Sequence, residues 1–596
     1  MNIKPIPSSR EIRYMKRTLI KLNVIKPYNM IDWNMMISAS SIRNYMLDDP
    51  CIDYYKEYNI VNTNSKPSKK NKYMKPEYDI HTQYILNEGI QFEENEINEI
   101  KKKHTVIKVG EYYDSKNKDK FEETKNLMIQ GIPIIYQAVL HNYNNNTYGL
   151  PDLLVRSDYI NILMGYNVIS NDEAMIGSPK LGIPWHYKVI DIKHSTIPVL
   201  YDMSTVSDNI NMMPYKGQIY IYTMALNQIL GLDMQTGFIW GKKYESSKQI
   251  IINHRNKLGI VKFDNKLYDK VNAACDWLRS MRKEGAKWSL IPLPSRSELY
   301  PNMKNNMDSP YKNIKKEFSI MYNEITSIWN CSYIMRMNAH KMGIYSYIDI
   351  RCNSKTLGMI NKTGTIVDKI LDINRQNKDI IRPKYISYDR SNWIQENPTI
   401  LGSFLDYETI NINNNIYIFM IGIGYEKSGV WVYKNFIMKE LTEIEELNMF
   451  HKFNEYINNI LIENNMEEIK FYHWSNAEKI SYDKFRNKHI KHGKNIATYN
   501  FYDMSKIFLE EPIVIKNALS YSLKSIAKAL FKNGLITTIW PTNSTCSDGL
   551  NAMMMAIDLY NINNIDNDIM KEIINYNEID CKTMWEILVL LRTLKN

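Results

Sequence analysis

The stretch "YKVIDIKHST" (residues 187–196) constrains the fold more than any other short segment of the chain. Its apolar residues and β-branched character require a strand, yet it carries an acid and a lysine. Successive side chains on a strand point to opposite faces. Ile190 and Ile192 therefore face a core, while Val189, Asp191 and Lys193 share the other face. A carboxylate and an ammonium side by side are either an ion pair on a sheet surface or half of a site for a divalent cation. In the second case the acid holds the metal and the lysine steadies charge on a phosphate or orients a water. The tripeptide alone does not decide, because D-x-K also occurs at Asp114/Lys116, Asp264/Lys266 and Asp580/Lys582.

The surroundings are more informative. Asp152 follows a Gly-Leu-Pro turn and leads into the apolar "LLV", as a strand start would. The segment 165–182 then reads as an inserted loop. Downstream, "MPYKGQIYIYTMALNQIL" (213–230) has helical spacing and sets Gln218 and Tyr222 at i and i+4 on one face. Upstream, "YILNEGIQFEENEINEI" (84–100) is an acidic helix bearing Gly89 and Glu93.

The ordered set of acidic helix, Gly149-x-x-Asp152, Asp191-x-Lys193 and Gln218-x-x-x-Tyr222 resembles the RecB-like branch of the PD-(D/E)XK nucleases, which includes the CRISPR-associated exonucleases. "ISASSIRNYMLDDPCIDYYKEY" (37–58) is similar to that branch's N-terminal start. The resemblance spans about residues 35–245. It implies a restriction-endonuclease-like core. Asp152, Asp191 and Lys193 would be catalytic, Gln218 and Tyr222 would support them, and Glu93 would be an outer metal ligand. Many such relatives carry an iron–sulfur cluster on four cysteines. Only Cys51 lies in this region, so no cluster is expected.

A second acidic constellation stands at the other end of the chain. "ILGSFLDYETI" (400–410) is an apolar strand with Asp406 and Glu408 on one face. "NINNN" is a turn, "IYIFMIGIGY" (416–425) a buried strand, and "VWVYKNF" (430–436) a third. Two carboxylates at i and i+2 can serve two divalent ions about 4 Å apart, given further acids from elsewhere. "EIKFYHWSNAEKISYDKF" (468–485) offers a strand followed by His473, Asn476 and Glu478 at a helix start. In the last helix, Tyr576 and Asp580 are i and i+4 and share a face.

This arrangement resembles the DnaQ-like 3′–5′ exonucleases of the RNase H-like superfamily, and within them the YprB-like domains. "YDMSKIF", "YSLKSIAKAL" and "SDGLNAMMMAIDLY" match the character of that subset, and the resemblance covers about 399–596. It implies Asp406, Glu408, Glu478 and Asp580 as catalytic acids, with Tyr576 orienting the attacking water. The family has an aspartate where Glu478 stands, and Asp503 is a possible substitute.

The segment between is mostly helical. Residues 318–358 resemble a helix-hairpin-helix-like connector, or equally a helical spacer. "MRMNAHK" (335–341) and "SMRKEGAKW" (280–288) offer basic residues to a phosphate backbone or merely to solvent. Residues 65–76 read as a basic surface loop and 380–398 as a linker. The expected domains are 1–245, 246–395 and 396–596, in a multidomain α/β chain.

Composition sets outer bounds. The chain has 596 residues, a net charge of +10 and a pI near 8.8, compatible with a polyanionic partner. Six scattered cysteines form no C-x-x-C pair, which argues against a zinc knuckle or disulfide framework and for a reducing compartment. No secretory signal or transmembrane run is expected, so the protein reads as soluble and intracellular, in cytoplasm, nucleus or a viral replication compartment. The sum of these readings is a Mg²⁺- or Mn²⁺-dependent nuclease acting on DNA, in repair, recombination or replication. The alternatives are an RNA-processing exonuclease and a nucleic-acid-binding scaffold with an inactive site.

Overall fold

The computed structural model describes residues 31–65, 77–247, 250–251, 254–385, 393, 398–412, 415–541, 544, 546 and 548–594. Most of the basic loop and of the linker expected from the sequence, and the N-terminal residues 1–30, lie outside the described residues. The fold is mixed α/β and divides into two compact units, Met1–Glu77 with Gln83–Glu317 and Tyr78–Thr82 with Phe318–Asn596. The stretch 246–395 does not form a body of its own in this division. Residues up to 317 belong to the first unit and the rest to the second, where Ile325, Ile328, Ala339, Ile344, Leu357, Val367 and Leu371 gather in a hydrophobic cluster of their own. No described helix is long and apolar enough to cross a membrane.

The first unit is built on a large mixed sheet, beside a small three-stranded one of Ile37–Ser38, Thr147–Gly149 and Leu140–Asn142. Its main elements are α1 (Ile80–Lys101), β1 (Val106–Lys108), β2 (Ile134–Tyr136), β3 (Leu153–Arg156), β4 (Tyr187–Pro198), α2 (Met213–Leu230), β5 (Thr236–Glu245), β6 (Gly259–Lys262) and α3 (Asn265–Glu284). Spatial order is β6–β5–β4–β3–β2–β1, with Ile250–Ile251 pairing on β5. β3 runs antiparallel to β4, and β4 runs parallel to β5. A parallel pair needs a crossover, and α2 supplies it.

As the alternation requires, Ile190 and Ile192 enter a core with Leu153, Val155, Phe238 and Trp240. The other face is not open to solvent: Val189 and Asp191 are each only 1% exposed. Helix α2 packs over β4 and β5 on this side. Of the four D-x-K sequences, this is the one on a strand. Asp264 caps α3, accepting from Leu267 N–H, while Asp114 lies in a 3₁₀ turn and Asp580 in a helix. The amphipathic α3 buries Leu267, Val271, Trp277 and Leu278 and packs against α2.

The second unit centres on a five-stranded sheet. Its elements are β7 (Ile400–Ile412), β8 (Asn415–Lys427), β9 (Val430–Ile437), α4 (Glu443–Glu463), β10 (Glu468–His473), α5 (Ala477–Lys491), β11 (Asn500–Asp503), α6 (Leu523–Lys532), α7 (Gly549–Asn561) and α8 (Asp568–Thr593). The order is β9–β8–β7–β10–β11, antiparallel through the first three strands and parallel through the last three. The strand meander expected at 400–436 is present. Helix α8 lies across β7 and β8, and an aromatic cluster of Phe450, Phe453, Phe471, Tyr482 and Phe485 fills the layer beneath α4 and α5.

One close approach in the first unit ties the helix layer to the Gly-Leu-Pro turn. Gly149 ends the short strand Thr147–Gly149, and a Cβ there would lie 2.3 Å from Tyr222 Cε1, so only glycine lets the tyrosine ring seat against this strand. Gly149→Ala is expected to cost about 1–3 kcal/mol through overpacking. Urea unfolding followed by tryptophan fluorescence would show the lowered midpoint.

Candidate metal centre and candidate active site

In the second unit, β7 places Asp406 and Glu408 on one face, and α8 brings Asp580 down onto them. One oxygen from each of the three carboxylates lies within 4.8 Å of the other two, the one such group among the described residues. Glu408 and Asp580 are buried and Asp406 is partly so. Next to Glu408 the β7–β8 ladder slips: Glu408 pairs with Met420 but Thr409 with Ile418. Bulges of this kind re-aim a side chain at a sheet face.

Like charges this close in a poorly hydrated place hold protons. Burial, then the charges of Asp580, Glu408 and Glu478, push the Asp406 carboxyl well above the ordinary range. Burial and Asp580 push Glu408 up to about 8, although the Asn577 side chain and the Lys524 ammonium pull the other way. Burial pushes Asp580 up to about 7, opposed by Lys524 and by the Tyr576 hydroxyl. Tyr576 lies beside Asp580 as the i, i+4 spacing requires, and burial raises its phenol far above the usual value.

Glu478 acts on all three acids by charge but stands outside the 4.8 Å group. Its Oε2 lies 3.2 Å from His473 Nδ1. Asp503 is engaged elsewhere: its Oδ1 accepts from Ser475 N–H, Ser505 N–H and the Ser505 hydroxyl.

Two residues of this centre were not picked out from the sequence. Asn577 is fully buried, and its Nδ2 donates to Asp406 Oδ2 at 2.7 Å and to Glu408 Oε1 at 3.3 Å. Lys524, from α6, sits 4.7 Å from the Tyr576 ring centroid. The signal for Asn577 was a polar residue next to Tyr576 on the apolar side of the last helix. Lys524 lay inside "YSLKSIAKAL" with nothing local to mark it.

In the first unit the order of motifs becomes a cluster. Asp152 stands one residue before β3, and its Oδ2 accepts from Ile192 N–H at 2.6 Å across the antiparallel pair. Lys193 Nζ lies 2.6 Å from Asp191 Oδ2 and 3.7 Å from Asp152 Oδ2. Burial and the Asp191 charge raise the Asp152 carboxyl well above its ordinary range. Burial works against the Lys193 ammonium, but the two carboxylates outweigh it and raise its pKa. Tyr222 is buried in the field of Asp191, Lys193, Asp152 and Glu93.

Gln218 is half-buried on α2, and no hydrogen bond joins it to these acids. Glu93 projects from α1, where its Oε1 accepts from the Tyr136 hydroxyl at 2.9 Å and Gln137 Nε2 at 2.8 Å. Its charge reaches Asp152, but it does not complete a three-oxygen group of the kind found at Asp406. Tyr136, Gln137 and Tyr215, whose ring centroid is 5.6 Å from Lys193 Nζ, are neighbours the sequence did not single out.

The six cysteines are unbridged and buried. A scan of protein-family models finds no match to the chain, and a search of curated proteins finds none either.

Each raised carboxyl of the second centre binds its proton more tightly in the folded chain than in the unfolded one. The folded chain therefore holds more protons between the ordinary carboxylate range and about 8, and this contribution to stability falls as pH rises through that window. Asp406→Asn removes one of the repelling charges. In metal-free buffer the variant should match wild type near about pH 5 and exceed its melting temperature near about pH 8.5. Calorimetry across that range checks the sign.

Proposed function

We propose that the chain is a divalent-metal-dependent nuclease with two hydrolytic centres, acting on DNA. The observation that carries this reading is the convergence of Asp406, Glu408 and Asp580. Three crowded carboxylates, two of them buried and all with raised pKa values, are a poor way to stabilise a fold and a good set of hard oxygen donors for Mg²⁺ or Mn²⁺. A cation held there would supply the positive charge that a phosphodiester needs as it passes through its transition state.

The protein's own groups have separable roles in this reading. Tyr576, beside Asp580, orients the attacking water. Lys524 balances part of the acidic charge while the centre waits for substrate. The meander followed by parallel strands, with the last helix across the first strand, supports an RNase H-like exonuclease domain. In the first unit, the antiparallel β3–β4 pair and the β4–α2–β5 crossover support a PD-(D/E)XK core. There Asp152 and Asp191 would hold the metal, Lys193 would steady charge on the phosphate, and Tyr222 would limit their hydration. Gln218 and Glu93 would be brought in by substrate or metal.

Asp406→Asn and Asp191→Asn, singly and together, test the reading on 5′-labelled single- and double-stranded DNA and on matched RNA. Each single variant should lose one class of product by about 10²-fold or more. The double variant should cut nothing, and chelation should silence the wild type until Mg²⁺ or Mn²⁺ is restored. Undiminished cleavage by the double variant would sink the proposal. Cleavage of RNA alone would move the substrate to RNA, and binding without cleavage by the wild type would leave a scaffold.

A further inference from the structure

The acidic triad poses a problem of position as well as charge. Asp406 and Glu408 are two apart on one strand face and repel each other, so without a partner their carboxylates would rotate away. Asn577 prevents this. Its Nδ2 donates to Asp406 Oδ2 at 2.7 Å and to Glu408 Oε1 at 3.3 Å, so a single amide bridges both acids. An asparagine amide has an acceptor end as well as a donor end, and the wrong end would repel a carboxylate. Here the choice is made by Tyr433 on β9, whose hydroxyl donates to Asn577 Oδ1 at 2.9 Å.

The backbone makes room for this arrangement. Gly422 on β8 is the cross-strand partner of Asp406. A Cβ at Gly422 would lie 1.6 Å from Asn577 Oδ1. The amide thus occupies the space where any other residue would put its side chain. Tyr433 is in turn the ladder partner of Gly424 on β8, so the orienting hydroxyl belongs to the same sheet as the acids it serves.

From this geometry we infer that Asn577, oriented by Tyr433 and seated on Gly422, is a positioning residue that clamps Asp406 and Glu408 into a metal-ready pair. The inference rests on the metal-centre reading above. The amide uses one oxygen of each acid and leaves the other outside its reach. It also does so without adding charge, which an aspartate at the same place would not.

The test uses the full chain carrying Asp191→Asn, so that the first unit's acids do not obscure the second. Free Mn²⁺ is counted by electron paramagnetic resonance, and product release is followed against Mn²⁺ concentration. Asn577→Ala should weaken Mn²⁺ binding about 10- to 100-fold, as losses of partners behind metal ligands do. It should shift the metal dependence of the rate by the same factor and leave the oligonucleotide KM at saturating Mn²⁺ unchanged. Tyr433→Phe removes only the orienting hydroxyl and should act in the same direction by a smaller factor. It carries the test if Asn577→Ala does not fold.

Unaltered Mn²⁺ affinity in the folded variants would overturn the clamp, as would a change in KM alone. Adding Asp406→Asn to the starting chain separates the two levels. If that change does not weaken Mn²⁺ binding, the metal-centre reading itself falls and the clamp with it. If it does while Asn577→Ala and Tyr433→Phe bind normally, only the clamp is lost.

Discussion

Three carboxylates held within 4.8 Å of one another are the constraint around which the second unit is arranged. In water such charges would drift apart. Away from water their repulsion grows, because the effective dielectric falls. Burial therefore protonates them or demands a counter-charge, and the unit answers with several devices at once. The Asn577 amide bridges Asp406 and Glu408, Lys524 lies close enough to favour the charged forms of Glu408 and Asp580, and Tyr576 backs Asp580. An arrangement that works against folding is a common mark of a site kept for chemistry.

The first unit solves the same difficulty differently. Two acids there meet one lysine, with Lys193 2.6 Å from Asp191 and 3.7 Å from Asp152. One of the two negative charges is balanced inside the cluster. The third acid, Glu93, is engaged by Tyr136 and Gln137. The lysine of the first centre is in direct ion-pair contact with its acids, while Lys524 acts on those of the second by charge. Removing Lys193 would leave buried, uncompensated carboxylates, a far larger disturbance than losing an exposed ion pair.

A second feature is common to both centres. Each D-x-E or D-x-K strand loses regular register just after its last functional residue. At β7 the slip follows Glu408 and the extra residue, Phe419, is on the partner strand β8, whereas on β4 it lies between Lys193 and Thr196 and the extra residue is on β4 itself. An extra residue in one strand bends it and turns the adjacent side chain. The same residue spacing on a regular ladder would present two parallel side chains with no such adjustment.

Periodicity was enough to place Asp191 and Lys193 on a strand, Gln218 and Tyr222 on one helix, and Tyr576 above Asp580, because i+2 and i+4 relations are local geometry. It also separated the strand-borne D-x-K from the three that fall elsewhere. What the sequence could not show is which face a neighbouring element covers. Asp191 was compatible with a sheet surface until α2 closed over it, and Gln218, on that same helix, is not joined to the acids. Glu478 had the right offset from His473, yet it pairs with that histidine and stands apart from the triad. Asn577, Tyr433 and Gly422 lie on α8, β9 and β8, and no spacing rule links them. Residue types and their short-range order determined where acids could gather; only tertiary packing, by bringing distant segments within hydrogen-bond reach and excluding water, decided which of them did.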